Sequence, residues 1–267
     1  MPQTATIAVR RFGRVNWVGL YTLSEREVLR FMAVWKQTLG GPLVTAGLFL
    51  TVFALAIGPT RGEVMGVRFV EFLAPGIMMM TVIQNAFANT SSSISGAKVQ
   101  GNIIDTLMPP LSPAELVVGY SAGAVGRGLA VAALIWLLMV IFLGMGLAHP
   151  LAALGFLVLG SLFMGGLGML TGIYAARFDQ MAAIQNFIIT PLSFLSGTFY
   201  SIDVLPAPVR ALSHLNPVFY LIDGVRYGVI GRSDSSPLLG FVICLVVTSA
   251  VLAWVWHFFR TGYRLKS

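Results

Sequence analysis

The sequence predicts an all-α polytopic membrane protein: six transmembrane helices, an N-terminal amphipathic interface helix, and short re-entrant outer helices before the last span. Three observations carry this. The 267-residue chain is 57% hydrophobic and only 10% charged, with mean hydropathy +0.84, whereas a water-soluble domain carries roughly a quarter charged residues. Apolar runs near the roughly twenty residues that cross a bilayer as a helix recur at 43–58, 70–92, 115–146, 151–175, 181–199 and 238–258. The basic residues are also unevenly shared between the two sides those spans define.

With both termini cytoplasmic, twelve Lys/Arg fall inside: Arg10, Arg11, Arg14, Arg26, Arg30, Lys36, Lys98, Arg127, Arg177, Arg260, Arg264 and Lys266. Five fall outside: Arg61, Arg68, Arg210, Arg226 and Arg232. The positive-inside rule favours this orientation. It also accounts for the net charge of +7 without nucleic acid. The basic start is followed by no apolar signal-peptide core before residue 43, so no cleaved signal is expected. The single cysteine, Cys244, lies in an apolar run and forms no internal disulfide.

Residues 17–39 read as the interface helix. Ser24 and Glu27 have capping-box spacing, which satisfies free N–H groups at a helix start. Leu29, Met32, Trp35 and Leu39 recur at helical spacing, with Arg30, Lys36 and Gln37 elsewhere. That pattern suits a helix lying on the inner membrane surface; a cytoplasmic extension of the first span is the alternative. Gly40, Gly41 and Pro42 are expected to bend the chain into the bilayer.

The second span carries Asn85, Asn89 and Ser92 at i, i+4 and i+7 on one face, with Gln84 beside them. The fifth carries Gln185 and Asn186 early, before Pro191. By rise per residue both polar sets lie in the inner half of the bilayer and are placed to meet. They read either as the lining of a translocation path or as hydrogen bonding that holds the bundle together. The third run is long for one crossing. Its first turns are expected in the inner interface, which would let Arg127 snorkel to the headgroups. In the fourth, Gly168 and Gly172 have GxxxG spacing, more often packing within a chain than dimerisation.

The cytoplasmic segment 96–113 contains a short apolar helix near 99–108, stopped by Pro109 and Pro110. Val99, Ile103, Ile104 and Leu107 have nowhere to bury unless the helix meets a membrane or a partner. The outer segment 197–231 is too polar to span, with Asp203, Arg210, His214, Asp223 and Arg226, and too apolar for a solvated loop. Pro206, Pro208 and Pro217 divide it into two short helices. They either tuck back into the membrane, which requires protein or a wet cavity around them, or lie on the headgroups. Asp223 and Arg226 are placed at i, i+3 to pair.

No GxxxxGK[ST] loop exists, and Lys36, Lys98 and Lys266 follow no glycine-rich turn, so this chain does not bind ATP by that route. His149, His214 and His257 are scattered, without carboxylates or cysteine at metal-ligand spacing. Neither a catalytic nor a metal site is expected.

LAPG at 73–76, GAKVQGNIIDTLMPPLSPAELVVGY at 96–120, SGTFYSIDVLP at 196–206 and HLNPVFYLIDGVRYGVIG at 214–231 form an ordered set. It resembles the ABC-2 type permeases, the type V exporter-like fold, and is closest to their YadH-like inner-membrane branch. The resemblance covers nearly the whole chain as one membrane domain, 1–267. It implies a bacterial inner-membrane export permease that dimerises with itself and works with two copies of an ABC ATPase. That partner carries ATP and Mg, and this chain binds no cofactor. ATPase coupling is expected at Lys98, Ile103, Ile104, Asp105 and Leu107, with Glu25, Glu27 and Arg30 on the interface helix. The translocation path is expected along Gln84, Asn85, Asn89, Gln185 and Asn186, and an outer gate at Tyr200, Asp203, Asn216, Asp223 and Arg226. The competing readings are an ATPase-independent secondary transporter or a membrane scaffold. A secondary transporter predicts inverted repeats with broken helices in both halves.

Overall fold

The computed structural model describes residues 15–265; Arg10, Arg11, Arg14 and Lys266 lie outside the described residues. Helix α1 runs Trp17–Ala33. Its N-cap is Asn16, whose side chain accepts from the Gly19 N–H at 3.0 Å, while the Asn16 N–H donates to the Glu115 carboxylate. Ser24 and Glu27 therefore stand in mid-helix and form no capping box. The tertiary bond from Glu115 sets the start earlier, and Glu27 has other partners.

The chain leaves helical geometry at Val34 (φ −117°, ψ 37°), and Thr38 Oγ1 donates to the Phe31 carbonyl at 2.7 Å. The first span then runs without a break over Lys36–Ile57, as α2, Gly41–Val52, between two π turns. The expected bend at Gly40, Gly41 and Pro42 does not form. Both glycines are right-handed helical, so the helix begun at Lys36 runs on through Pro42, whose missing N–H falls where the π turn passes into α2. One further turn, α3, Gly58–Arg61, leads to a two-residue antiparallel hairpin, Glu63–Val64 with Val67–Arg68. Met65 and Gly66 turn it with φ of 56° and 75°, the geometry of a tight hairpin turn. Periodicity of 3.6 residues cannot announce so short an element.

Helix α4, Phe69–Val99, is the central post. It is longer than the expected 70–92 and is buried on most sides, with Pro75 inside it. A short α5, Ile103–Leu107, follows Gly101 at φ +74°. It is shorter than the 99–108 helix expected, because α4 itself continues through Val99. Helix α6, Pro113–Leu143, opens on a capping box: Ser112 N–H donates to Glu115 at 2.6 Å and Glu115 N–H to Ser112 Oγ at 3.3 Å. Helix α7, Pro150–Tyr174, lies against α4 through its glycines. A Cβ on Gly168 would sit 2.5 Å from the Phe87 carbonyl oxygen, and one on Gly172 would sit 2.8 Å from Ile94 Cβ. The GxxxG pair thus packs within the chain, where small residues let two backbones approach.

Residues 178–195 form one helical run: α8, Phe178–Ile184, a π turn at Gln185–Ile189, and α9, Thr190–Leu195. Beyond it lie α10, Ala207–His214, α11, Pro217–Ile230, and α12, Pro237–Thr261. Among the described residues five helices are long and apolar enough to cross a membrane: Lys36–Ile57, Phe69–Val99, Pro113–Leu143, Pro150–Tyr174 and Pro237–Thr261. The run at 178–195 is not one of them. At about 27 Å it is at the short end of a crossing, and its first half carries Asp179, Gln180, Gln185 and Asn186.

Two apolar cores result. The larger surrounds α4 and takes in most of α11, including Phe219, Leu221, Ile222 and Val225. Gly224 and Gly228 bring α11 against Phe156 and the Ala153 backbone of α7, and His149 N–H donates to the Gly228 carbonyl at 2.8 Å. The outer segment thus packs on protein. The smaller core gathers Leu23, Ile94, Ile103, Leu116, Tyr120, Phe259 and Leu265, so α1, α5 and the end of α12 meet at one end of the bundle. Tyr120 and Phe259 stack there with centroids 5.9 Å apart.

Candidate functional site

Three polar groupings lie along α4. At the α1 end, Glu27 is fully buried because Gly123 is bare: a Cβ there would lie 2.6 Å from Glu27 Cβ. Its carboxylate pairs with Arg26 at 3.1 Å and Arg30 at 3.2 Å and accepts from Ser93 Oγ at 2.7 Å. Arg30 also donates to the Asn89 carbonyl at 2.6 Å, to Asn89 Oδ1 at 3.1 Å and to Ser92 Oγ at 3.2 Å. Arg26 reaches α5, donating to Thr106 Oγ1 at 2.8 Å. Between these elements opens a cleft of about 450 Å³, lined by Arg26, Arg30, Gln100, Asn102, Asp105 and Phe178 among others.

The coupling residues divide. Ile103 is buried, whereas Ile104 and Asp105 are exposed and Leu107 is half-buried. The Lys98 ammonium donates to the Ile173 and Ala175 carbonyls at 2.5 and 3.0 Å, closing the C-terminus of α7 as cations do. Glu25 is exposed. Leu29, Met32 and Trp35 are exposed while Leu23, Glu27 and Phe31 are buried, because α6 takes the face that carries Glu27.

Midway along the bundle, Arg127 Nε and Nη2 donate to Asn85 Oδ1 at 3.2 and 2.7 Å. Arg127 is held in the bundle by this contact. Asn85 and Asn89 therefore meet arginines of α6 and α1; Gln185 and Asn186 make no hydrogen bond to them. Gln84 and Gln185 are half-buried and Asn186 is exposed. An interhelical hydrogen bond of this kind contributes about 1 kcal/mol.

At the opposite end, α11 buries its charges completely. Arg226 Nη1 lies 3.6 Å from Asp223 and 3.5 Å from Asp234. Its Nη2 donates to the Gly197 carbonyl at 2.6 Å, and the guanidinium sits 4.0 Å from the centre of the Phe72 ring. Asp223 accepts from the Asp234 N–H at 2.8 Å, the Ser235 N–H at 2.9 Å and Ser235 Oγ at 2.7 Å, and Ser201 donates to Asp234. Burial pushes the Asp223 carboxyl above its ordinary value, while the Asp234 N–H and the Arg226 guanidinium pull it down. Asn216 caps α11 and donates to Ser196 Oγ at 2.7 Å. Tyr200 donates to the Leu195 carbonyl at 2.6 Å. Asp203 stands apart, exposed beside Arg210. Asp234, Ser235 and Ser201 escaped sequence reasoning. The one available signal was an acid in a serine-rich turn directly before Pro237.

The profile of the ABC-2 type transporter family matches residues 19–230. The chain belongs to the ABC-2 type transporter family. It is 36% identical over 94% of its length to the inner membrane transport permease YadH of Escherichia coli K12, covering 98% of that protein. Nodulation protein J of Rhizobium leguminosarum bv. viciae is 25% identical over 90% of this chain and 93% of its own. Family membership and five spanning helices make this a multi-pass membrane transport permease, and the family implies association with an ABC ATPase. Two segments of the resemblance touch in this ABC-2 permease: a Cβ on Gly76, in LAPG, would lie 2.7 Å from the Thr198 carbonyl oxygen, in SGTFY.

Proposed function

We propose that this ABC-2 permease is the membrane half of an ATP-driven exporter in the bacterial inner membrane. It moves a substrate outward from the cytoplasm or inner leaflet. Two copies of the chain pair with two copies of an ABC ATPase, which holds the ATP and Mg. Each copy crosses six times, the run at 178–195 completing the count, with α1 on the inner surface. The gathering of Leu23 of α1 with Phe259 and Leu265 at one end supports termini on one side, and the charge count places that side in the cytoplasm.

The observation that carries this reading is the stitched joint between α1, α4 and α5. Arg26 holds α5 through Thr106, and Glu27 and Arg30 hold α4 through Ser93 and Asn89. A push on α5 therefore reaches both helices through short charge-assisted bonds. ATP binding closes the ATPase pair against α5 and α1, and that motion shifts α4 and the run at 178–195. The path at the dimer interface alternates its exposure, and α10 and α11 gate release at the far side. Exposed Ile104 and Met108 are the apolar anchors for the ATPase.

Truncating such anchors costs roughly 1 kcal/mol or more each, so Ile104→Ala with Met108→Ala weakens ATPase binding by roughly thirty-fold while the permease stays in the membrane. Co-purification of the ATPase that accompanies the wild-type permease measures this. Wild-type retention of the ATPase by the double mutant sinks α5 as the coupling element.

A further inference from the structure

Arg127 lies one residue past Gly126, where α1 packs on α6. The 31 residues of α6 extend about 46 Å, and Arg127 lies about 21 Å from Pro113. A hydrocarbon layer of about 30 Å that ends at Leu143 leaves Arg127 about 5 Å inside the edge nearer α1. Its contact, Asn85, is neutral. No carboxylate lies within 4.0 Å of it among the described residues. Its Nη1 makes no hydrogen bond and is not enclosed.

The neighbouring groups are donors too. Asn89, one turn along α4 from Asn85, is fully buried, and its Nδ2 has no acceptor. Nε of Arg30 likewise has none. Gly123, one turn before Arg127 on α6, lets Asn89 come this close: a Cβ there would lie 2.8 Å from Asn89 Nδ2. Glu27 is committed to Arg26, Arg30 and Ser93. The strip is thus in excess of positive charge and of unused N–H groups, contributed by α1, α4 and α6 together.

We propose that this strip binds the anionic headgroup, a phosphate or carboxylate, of a membrane amphiphile that is the permease's substrate, with Arg127 holding the headgroup beside α1. The proposal rests on the permease reading above and names its substrate class. A guanidinium offers an oxyanion two parallel donors. An anion here supplies the counter-charge that the neutral Asn85 does not. Because Arg30 belongs to α1, the headgroup also touches the helix through which the ATPase would act.

The test uses the full-length permease in phosphatidylcholine nanodiscs, with native mass spectrometry reading retention of hexadecyl phosphate, hexadecyl phosphocholine or inorganic phosphate. The wild type is expected to retain hexadecyl phosphate at least ten-fold better than hexadecyl phosphocholine. Asn85→Asp, which places a counter-charge on Arg127, is expected to lose that ten-fold, and exposed Arg232→Gln to lose nothing. Should Asn85→Asp fail to insert, Arg127→Lys keeps the charge without the fork and is expected to lose about three-fold. Equal retention of the two amphiphiles, or unchanged retention in the variant that inserts, overturns the proposal. Competition by inorganic phosphate as strong as by hexadecyl phosphate overturns the amphiphile. Hexadecyl phosphate must also stimulate ATP hydrolysis by the assembled complex; retention without stimulation marks a resident lipid and overturns the substrate assignment. Retention needs no ATPase, so this result and the α5 co-purification result stand or fall separately.

Discussion

Asp223 and Arg226 face each other across one turn of α11 at 3.6 Å, both sealed from solvent. The pair is the middle of a larger latch: Asp223 holds the turn at Asp234 and Ser235, and Arg226 holds the Gly197 carbonyl and covers Phe72. It ties α11 to the end of the 178–195 run on one side and to the start of α12 on the other.

Removing Asp223 leaves the Asp234 and Ser235 N–H groups without their acceptor while Arg226 keeps Asp234, a loss toward the lower end of the about 3–5 kcal/mol of breaking a buried pair. Asp223→Ala is therefore expected to lower stability by that order, measured by thermal unfolding of the detergent-solubilised permease, and Asp234→Asn by less. Exchanging the two charges does not restore stability, because Gly197 offers a carbonyl that a carboxylate cannot use. An Asp223→Ala protein with wild-type unfolding would reduce the latch to an ornament.

Gly123 is the seat of α1. Gly123→Val presses a side chain into Glu27 and Asn89, and overpacking of this kind costs about 1–3 kcal/mol. Undocked α1 is expected to become protease-sensitive near Arg26 and Arg30 while α4, α6 and α7 stay protected. Unchanged proteolysis of α1 would show that Gly123 is merely small.

The topology test must avoid the latch. Ser201 is buried against Asp234, and Ser235 bonds Asp223, so cysteines there would disturb what they report. Val204→Cys and Ser236→Cys occupy exposed positions, and the sole native thiol, Cys244, is buried. Both variants should label in intact cells with a membrane-impermeant maleimide. Labelling only after lysis would reverse the proposed orientation.

The membrane class, the helical architecture, the long apolar helices at α2, α4, α6, α7 and α12, and the breaks around α10 and α11 were legible from the chain alone. Each follows from a local property: length of apolar run, spacing of prolines, and the period of side chains along a helix. The pairing of Asp223 with Arg226 was legible for the same reason, since one turn of helix brings i and i+3 together. What local pattern could not supply was the partner across space. Asn85 and Asn89 announce a polar face, but only packing decides that α6 and α1 bring arginines to it and that the 178–195 run does not. Ser24 and Glu27 have the spacing of a cap, yet the Glu115 carboxylate, distant in sequence, starts the helix at Asn16 instead. Lys98 and Arg127 read as charges bound for water or headgroups, and tertiary structure turns one onto the last carbonyls of α7 and the other onto Asn85. In an apolar bundle a charge goes where its hydrogen bonds can be made, and that place is set by which helices touch.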